Sequence, residues 1–221
     1  MGDVVTIDGP AGSGKSTVSR ALAARLHFLY LDTGAMYRAV ALVAKREGID
    51  PADGKRLGEA CSAMALRFKT DENPPRLYLG HEDITLAIRT PEIDLLSSTV
   101  SAVPEVREAM TDQQRAMARR ANIVAEGRDM GTVVFPDATI KFFLDAAPEI
   151  RAERRYRERL ERGESVSKES VMEEILVRDR QDQSRSIAPL RPAKDAIVID
   201  SSRLTADQVL EEMLRHWMRK K

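Results

Sequence analysis

The sequence predicts an α/β fold built on a doubly wound, five-stranded parallel sheet, and two observations carry this prediction. First, five short runs are apolar on both faces and rich in β-branched or aromatic residues, as strands covered by helices must be. These runs are residues 4–7, 28–31, 123–125, 140–144 and 197–199. Second, helical patterns separate the runs, which implies right-handed crossovers between parallel strands.

The first two helices follow from an apolar stripe and from capping residues. Residues 15–26 place four apolar side chains on one stripe, as an amphipathic helix requires. The stripe consists of Val18, Ala21, Leu22 and Leu26. Either Asp32 or Thr33 has the right side chain to cap the next helix, which we expect to end near Gly48.

Two later helices have equally clear starts. Thr90 precedes Pro91, and proline is favoured at the first helical position. Thr205 and Gln208 have the spacing of a capping box at the start of the last helix. We expect the core-facing residues of that helix to be Val209, Leu210, Met213, Leu214 and Trp217.

Two segments do not fit the alternating core. Residues 50–88 begin with a helix-like stretch. Two runs follow, at 66–68 and 77–79, in which apolar and polar residues alternate with period two on either side of turn-rich residues 70–75. This pattern predicts a small β-containing insertion. The second segment, residues 148–190, reads as paired charged helices that break near Gly163.

Composition limits the classes of partner. Lysine plus arginine equals aspartate plus glutamate, 35 against 35, so no overall field attracts nucleic acid or anionic lipid. The single cysteine, Cys61, cannot form an internal disulfide, which fits a reducing compartment, and we expect it to be a small buried apolar residue. No apolar run approaches the roughly 20 residues that span a bilayer, and no secretory signal is visible. We therefore expect a cytoplasmic protein.

A glycine-rich loop follows the first strand. Residues 9–16 fit the pattern G-x-x-x-x-G-K-[ST] at every fixed position, between a buried strand and an amphipathic helix. Backbone N–H groups of such a loop wrap a polyanion, and the helix adds its positive dipole end. Lys15 would place its charge on the β- and γ-phosphates, and Ser16 would offer its hydroxyl to Mg²⁺. The residues expected to hold the triphosphate are Gly9, Pro10, Ala11, Gly12, Ser13, Gly14, Lys15, Ser16 and Thr17.

Other loop-bearing classes fit less well. A GTPase needs N-K-x-D and D-x-x-G, and neither string occurs in the chain. Motor-type ATPases need a longer body. Small kinases instead use arginines to hold a second phosphate in line with the first and to neutralise charge during transfer.

Suitable arginines lie beside the predicted strand ends. Arg128 and Asp129 follow the third strand, and ligands of open α/β sheets bind beyond the carboxyl ends of strands. Asp32 lies at the matching end of the second strand, with Tyr37 and Arg38 about one helical turn on.

The second insertion supplies further charges. Arg178, Asp182 and Arg185 are spaced i, i+4, i+7, which predicts one face of a helix; the alternative is a solvated, salt-bridged face. The arginine-rich run at residues 151–162 is compatible with RNA binding. Its interleaved glutamates favour a solvated helix instead.

Four stretches together resemble bacterial cytidylate kinases. They are residues 7–17, 31–38, 127–138 and 178–185, the last followed by Ala-Pro-Leu at 188–190. The resemblance extends over essentially the whole chain. It implies ATP as donor, CMP and dCMP as acceptors, Mg²⁺, and strand order 2-3-1-4-5.

The same resemblance implies an internal organisation. Residues 1–221 would form a single kinase domain. Within it, about 34–107 would bind the monophosphate and contain the β insertion at about 50–88, and about 148–190 would form a lid. We expect a monomer that binds small nucleotides, with no nucleic-acid or membrane partner.

Residue roles also come from the resemblance. The monophosphate would be bound by Arg38, Arg128 and Arg185. The cytosine edge would be read by Ser98, Arg107 and Asp129, and the pentose hydroxyls held by Arg178 and Asp182. Thr33 and Tyr37 would complete the acceptor site, and Arg154 and Arg155 would approach ATP. The residues assigned to catalysis are Lys15, Arg128, Asp129 and Arg185.

Rival functions stay open at this point. Within the same class, the acceptor could be UMP, AMP or a shikimate-like metabolite. From other classes, the chain could be a non-catalytic ATP-binding regulator or a nucleic-acid-associated ATPase.

Overall fold

The structure is a computed structural model that describes residues 2–69 and 75–220. It divides into two compact units. Unit 1 comprises Leu29–Ile123 with Met1–Gly2, and unit 2 comprises Asp3–Phe28 and Val124–Lys221. The turn expected at residues 70–75 lies, except for its last residue, outside the described residues.

Strands and helices alternate along most of the chain. The strands are β1 (Val4–Asp8), β2 (Leu29–Asp32), β3 (Leu66–Lys69), β4 (Arg76–Leu79), β5 (Glu82–Asp83), β6 (Ile123–Gly127), β7 (Ile140–Asp145) and β8 (Ile197–Asp200). The helices are α1 (Lys15–Leu26), α2 (Thr33–Glu47), α3 (Gly54–Ala63), α4 (Pro91–Val100), α5 (Pro104–Ala118), α6 (Pro148–Glu161), α7 (Lys168–Ser184) and α8 (Ala206–Lys220). A single π-helical turn, Met130–Val134, follows β6.

The main sheet has five strands in the order β2-β6-β1-β7-β8. Numbered among themselves along the chain, these strands read 2-3-1-4-5, so the predicted fold class and order are confirmed. Val5 of β1 lies opposite Ile140 of β7 in a parallel ladder, and Phe142 of β7 lies opposite Ile197 of β8.

Burial of the five strands is uneven. Every residue of β1 and β6 is buried, as the sequence predicted. The prediction that both faces are covered was wrong for β8, where Val198 is 58% exposed. Among residues 2–69 and 75–220, β8 is the last strand in the order and therefore has a ladder neighbour on one side only.

In unit 2, the first and last helices begin as expected. α1 starts after Gly14, whose φ of 91° is left-handed, and buries Val18 and Leu22. At the start of α8, Thr205 Oγ1 accepts the Gln208 N–H at 3.2 Å and Gln208 Oε1 accepts the Thr205 N–H at 2.9 Å. This reciprocal pair is the predicted capping box.

The paired charged helices of unit 2 are α6 and α7. Gly163, with φ of 77°, lies between them, which confirms the predicted break. α7 ends at Ser184, and Arg185 follows with extended backbone (φ −56°, ψ 133°), so the prediction that Arg185 lies on the helix face was wrong. The predicted solvated α6 was also wrong at Arg151, which is 3% exposed.

In unit 1, capping carboxylates and hydroxyls set the helix starts. Asp32 caps α2 by accepting the Ala35 N–H at 2.8 Å, which decides between the two predicted caps. Thr90 caps α4 through the Ile93 N–H at 3.3 Å. These bonds satisfy backbone donors that the first turn of a helix leaves open.

Unit 1 also holds the small antiparallel sheet β3-β4-β5, in which Leu66 lies opposite Leu79. The preceding helix, α3, buries Leu57 and Cys61. Burial raises the pKa of the Cys61 thiol to about 12, so the thiol is inert at neutral pH, as predicted. The predicted boundaries of a monophosphate-binding region and a lid stay predictions.

Within residues 2–69 and 75–220, no helix combines the length and the apolar character needed to cross a membrane.

Candidate active site

The glycine-rich loop between β1 and α1 is shaped by close backbone approaches. Gly9 has φ of 149°, and a Cβ there would lie 2.0 Å from the Leu144 carbonyl oxygen. Gly12 has φ of 77°, and its Cβ would lie 2.8 Å from the Arg151 carbonyl oxygen. Side chains at these positions would displace the loop from β7 and α6, so glycine is required for this conformation.

Lys15 begins α1 and turns back over the loop. Its Nζ donates to the Pro10 carbonyl at 2.6 Å and to Ser13 Oγ at 3.4 Å. Burial and the nearby charge of Arg128 lower the pKa of Lys15 well below its ordinary value, although Glu126 acts in the opposite direction. A cation that is destabilised in this way favours a polyanion beside it, because phosphate oxygens would restore the charge balance.

Ser16 meets a carboxylate that the sequence reading missed. Its hydroxyl donates to Glu126 Oε1 at 2.8 Å, and Glu126 is 4% exposed within β6. The available signal was an acidic residue near the carboxyl end of an apolar strand. A hydroxyl and a carboxylate oxygen are ligand types that suit Mg²⁺.

A second carboxylate, Asp8, fixes the turn after β6. It accepts the Met130 N–H at 2.9 Å and the Gly131 N–H at 2.8 Å. Burial raises the pKa of Asp8 to about 6, the charge of Asp129 adds to the rise, and the two N–H bonds and Lys15 oppose it. Asp8 thereby holds the backbone that immediately follows Asp129.

Asp182 joins two of the predicted arginines in unit 2. It is 1% exposed, and its carboxylate lies 2.7 Å from Arg128 Nε and 2.6 Å from Arg185 Nη2. Burial alone would raise the pKa of Asp182, but the charges of Arg128, Arg185 and Arg178 outweigh it and hold the pKa below its ordinary value. Arg185 therefore contacts Asp182 from just beyond the end of α7.

Arg154 lies against the glycine-rich loop, and Arg155 contacts its own helix. Arg154 Nη1 donates to the Ser13 carbonyl at 3.4 Å and to Ser201 Oγ at 3.0 Å. Ser201 Oγ itself donates to the Ser13 carbonyl at 3.0 Å, a contact that sequence reasoning did not predict. Arg155 Nη1 donates to Glu158 Oε2 at 2.9 Å.

Unit 1 arranges Arg38 between two carboxylates. Arg38 Nη2 lies 3.6 Å from Asp32 Oδ2, and Nη1 lies 3.8 Å from Asp94 Oδ1. Thr33, the first residue of α2, is buried beside Asp32. The predicted Arg38 is thus partly exposed and held by long contacts, with a side chain 19% exposed.

Arg107 and Tyr37 also come together in unit 1. The Arg107 guanidinium carbon lies 5.8 Å from the centre of the Tyr37 ring, and Arg107 Nη1 donates to the Ser101 carbonyl at 3.2 Å. The contact is of the cation–π type. Ser98 is half-exposed on α4, and its carbonyl accepts Ser101 Oγ at 3.0 Å.

The comparison with protein families decides between the rival classes. A family model described as "Cytidylate kinase" matches residues 5–219. The chain belongs to the cytidylate kinase family. Proteins named cytidylate kinase from Citrifermentans bemidjiense and Pelotomaculum thermopropionicum are 49% and 50% identical to it. The first alignment covers 96% of this chain and 91% of that protein, and the second covers 94% and 92%.

Solved structures support the fold of this cytidylate kinase family member. An uncharacterized protein from Eubacterium ventriosum has a TM-score of 0.53 at 11% identity, covering 97% of each chain. A shikimate kinase from Bacteroides thetaiotaomicron has a TM-score of 0.50 at 11% identity, covering 98% of each chain. At this level of identity the likeness shows a shared fold.

Proposed function

We propose that this chain transfers the γ-phosphoryl group of ATP to CMP and dCMP, giving ADP and CDP or dCDP. Membership of the cytidylate kinase family and relatives about half identical over nearly the whole chain support this proposal. The observation that carries it is that unit 2 contains both the glycine-rich loop and the ion pairs that Arg128 and Arg185 form with Asp182.

ATP would bind through its phosphates to the loop. The backbone of residues 11–14 and the N-terminal end of α1 would supply N–H groups, and Lys15 would supply a charge close to the β- and γ-phosphates. Ser16 and Thr17 continue this end of the helix. Arg154, already at the Ser13 carbonyl, would assist, and Arg155 is the weaker candidate because its guanidinium binds Glu158.

Ser16 and Glu126 fit a magnesium ion, since the exposed Ser16 hydroxyl and the buried Glu126 carboxylate present oxygen atoms at one point of unit 2. The ion, when bound, would neutralise charge on the β- and γ-phosphates. We further propose that Asp129 holds a water molecule of that ion. Glu126 thus joins Ser16, the residue that the sequence assigned to the metal.

The acceptor phosphate would be bound by Arg38, Arg128 and Arg185. Guanidinium groups match phosphate oxygens bidentately, so three of them fix both position and orientation. Tyr37 and Thr33, close to Arg38 in the sequence, would complete this part of the acceptor site.

Base and sugar would be read by other side chains. Ser98, Arg107 and Asp129 are proposed to pair with the amine and ring edge of cytosine. Arg178 and Asp182 are proposed to hold the pentose hydroxyls, a contact that tolerates ribose and deoxyribose.

The transfer would be a direct in-line displacement. A phosphate oxygen of CMP forms the new P–O bond while the bond from the γ-phosphorus to the ADP oxygen breaks, so the phosphoryl group passes between two phosphates. The acceptor is already an anion, and no strong general base is needed. Lys15 and the arginines offset charge on the transferring group. Closure of α6 and α7 would exclude water that would otherwise hydrolyse ATP.

A coupled ADP-release assay with CMP, dCMP, UMP and AMP tests the proposal. We expect CMP and dCMP to give the highest kcat/KM, and Lys15→Met to lower kcat by about 1,000-fold or more. Lys55→Met, a change at an exposed lysine of α3, is the matched control. A preference for AMP over CMP would remove the base assignment.

The non-kinase rivals need a different readout. Filter binding to RNA at physiological salt should show no retention, whereas a nucleic-acid-associated ATPase would be retained. We also propose a cytoplasmic monomer, which size-exclusion chromatography tests against the mass of 24.7 kDa.

A further inference from the structure

Arg151 is a buried cation that the proposed reaction does not use. It lies in the first turn of α6 and is 3% exposed. Its Nε donates to the Ala146 carbonyl at 2.8 Å, and its Nη1 donates to the Ala11 carbonyl at 3.2 Å. Nη1 and Nη2 also bind Asp179 Oδ1 and Oδ2 at 2.9 and 2.5 Å. One guanidinium therefore joins three separate segments of unit 2.

The first of these segments is the glycine-rich loop. Ala11 lies at its centre, and the next residue, Gly12, leaves no room for a Cβ beside the Arg151 backbone. The loop is thus packed and hydrogen-bonded to the start of α6, and neither can shift along the other without breaking these contacts.

The second segment is α7, through Asp179. Asp179 follows Arg178 directly and precedes Asp182 by three residues, so Asp179 and Asp182 lie on neighbouring positions of one helix face. The bidentate bond to Arg151 fixes both the height and the rotation of this face, because two parallel N–H···O bonds allow a single orientation.

We infer that Arg151 and Asp179 are positioning residues that couple the triphosphate loop to the acceptor-binding side chains of α7. ATP phosphates that order the loop also order the Ala11 carbonyl. Because Arg151 binds both this carbonyl and Asp179, the position of Asp179 is then restricted as well. Arg178 and Asp182 are then placed for the acceptor. This inference rests on the proposed function, since it takes CMP as the ligand of α7.

Stability alone does not account for such a pair. A buried ion pair is often no more stable than apolar residues of similar volume, whereas removal of one partner leaves an uncompensated charge. What the bidentate pair supplies is orientation, and the residues flanking Asp179 are the ones that need it.

The test measures how strongly one ligand affects the other. CMP binding is measured by calorimetry with and without a non-hydrolysable ATP analogue, in the wild type, Asp179→Asn and Glu174→Gln. Glu174 lies on the same helix, has a side chain 60% exposed and binds Arg159, so it is a matched acid-to-amide control. We expect the analogue to tighten CMP binding about fivefold or more in the wild type and in the control.

In Asp179→Asn the enhancement should fall below about twofold, while the affinity for the analogue alone changes little. A purely structural role would lower the melting temperature and leave the enhancement intact. An unchanged enhancement in folded Asp179→Asn, or none in the wild type, overturns the inference.

If Asp179→Asn does not fold, the double variant Arg151→Met/Asp179→Leu removes both charges together and is measured in the same way, with the same expected loss. The wild type offers an independent measurement. The analogue alone should slow amide hydrogen exchange in α7 around Asp179, and unchanged exchange there overturns the inference. Failure of the wild type to phosphorylate CMP refutes the proposed function instead, and normal turnover with an unchanged enhancement in Asp179→Asn refutes only this coupling.

Discussion

Two regions assigned to the acceptor phosphate hold their arginines in opposite ways. In unit 2, one buried carboxylate, Asp182, binds Arg128 and Arg185 at 2.7 and 2.6 Å. In unit 1, a single arginine, Arg38, lies 3.6 and 3.8 Å from the two carboxylates Asp32 and Asp94. The first group carries surplus positive charge in a fixed geometry, and the second carries surplus negative charge at longer range. Unit 2 is therefore arranged in advance for an anion, whereas Arg38 must exchange partners to bind one.

The largest effect should come from the fixed group. Arg185→Ala removes a guanidinium expected at the transferring charge, and such groups contribute about 100- to 1,000-fold to kcat. Steady-state kinetics with CMP measures this loss. Arg180→Ala, at an exposed arginine of α7, should leave kcat unchanged. A normal rate in Arg185→Ala would remove α7 from the mechanism.

A smaller effect should come from Asp8, which binds the turn that follows Arg128 and Asp129. Ionised Asp8 accepts two N–H groups from the turn after Arg128 and Asp129, and its pKa lies at about 6. Protonation removes part of this acceptor capacity, so activity should fall as the pH decreases through about 6. Asp8→Asn should be about tenfold less active at pH 7.5.

The ratio of the wild-type rate to the Asp8→Asn rate separates the titration of Asp8 from that of the substrate. Protonation of CMP itself affects both proteins equally, so the ratio of wild type to Asp8→Asn should approach one below pH 6. A ratio independent of pH would show that Asp8 does not titrate in this range.

As the pH falls through about 6, the stability of the folded chain should rise while its activity falls. The pKa of Asp8 is raised from 3.8 to about 6 by folding, so the folded chain binds this proton more tightly than the unfolded chain. The stabilising contribution of that proton is complete below about pH 3.8 and is lost as the pH rises through 6. Urea unfolding at pH 7.5 should therefore show little change in the midpoint of Asp8→Asn, although its activity is about tenfold lower. A large drop in the urea midpoint would contradict this.

The smallest effect should come from the long contacts of Arg38 in unit 1. Asp94→Asn removes one carboxylate 3.8 Å from Arg38, and partly exposed pairs at this range contribute less than about 1 kcal/mol. Arg38 would then be more available to phosphate. We expect KM for CMP to fall about two- to threefold with kcat unchanged, and a rise in KM would show that Asp94 supports Arg38 instead of competing for it.

Local patterns predicted much of the fold. Helix caps depend on neighbours a few residues away, and the structure confirms them at Thr90, Asp32 and the Thr205–Gln208 box. The edge exposure of Val198 escaped prediction because it depends on which strands pair, and pairing is a property of the whole sheet.

The candidate site was predicted less completely, for the same reason. Arg151 looked like its exposed neighbours on a charged helix, and only its contacts with Ala11 and Asp179 bury it. Glu126 reads as a strand residue until Ser16, 110 positions away in sequence, is placed beside it. Arg185 was predicted to lie on one helix face with Arg178 and Asp182, but α7 ends at Ser184, because helix ends depend on where the following chain is bound.

The buried thiol of Cys61 has a practical consequence for following motion. The chain has one cysteine, and burial raises its thiol pKa to about 12, so maleimide reagents at neutral pH leave it untouched. A new cysteine at an exposed position of α7 would then be the sole labelled site without any change to the native residue. A fluorophore there would report whether movement of this helix, or the chemical step, sets the pace of turnover.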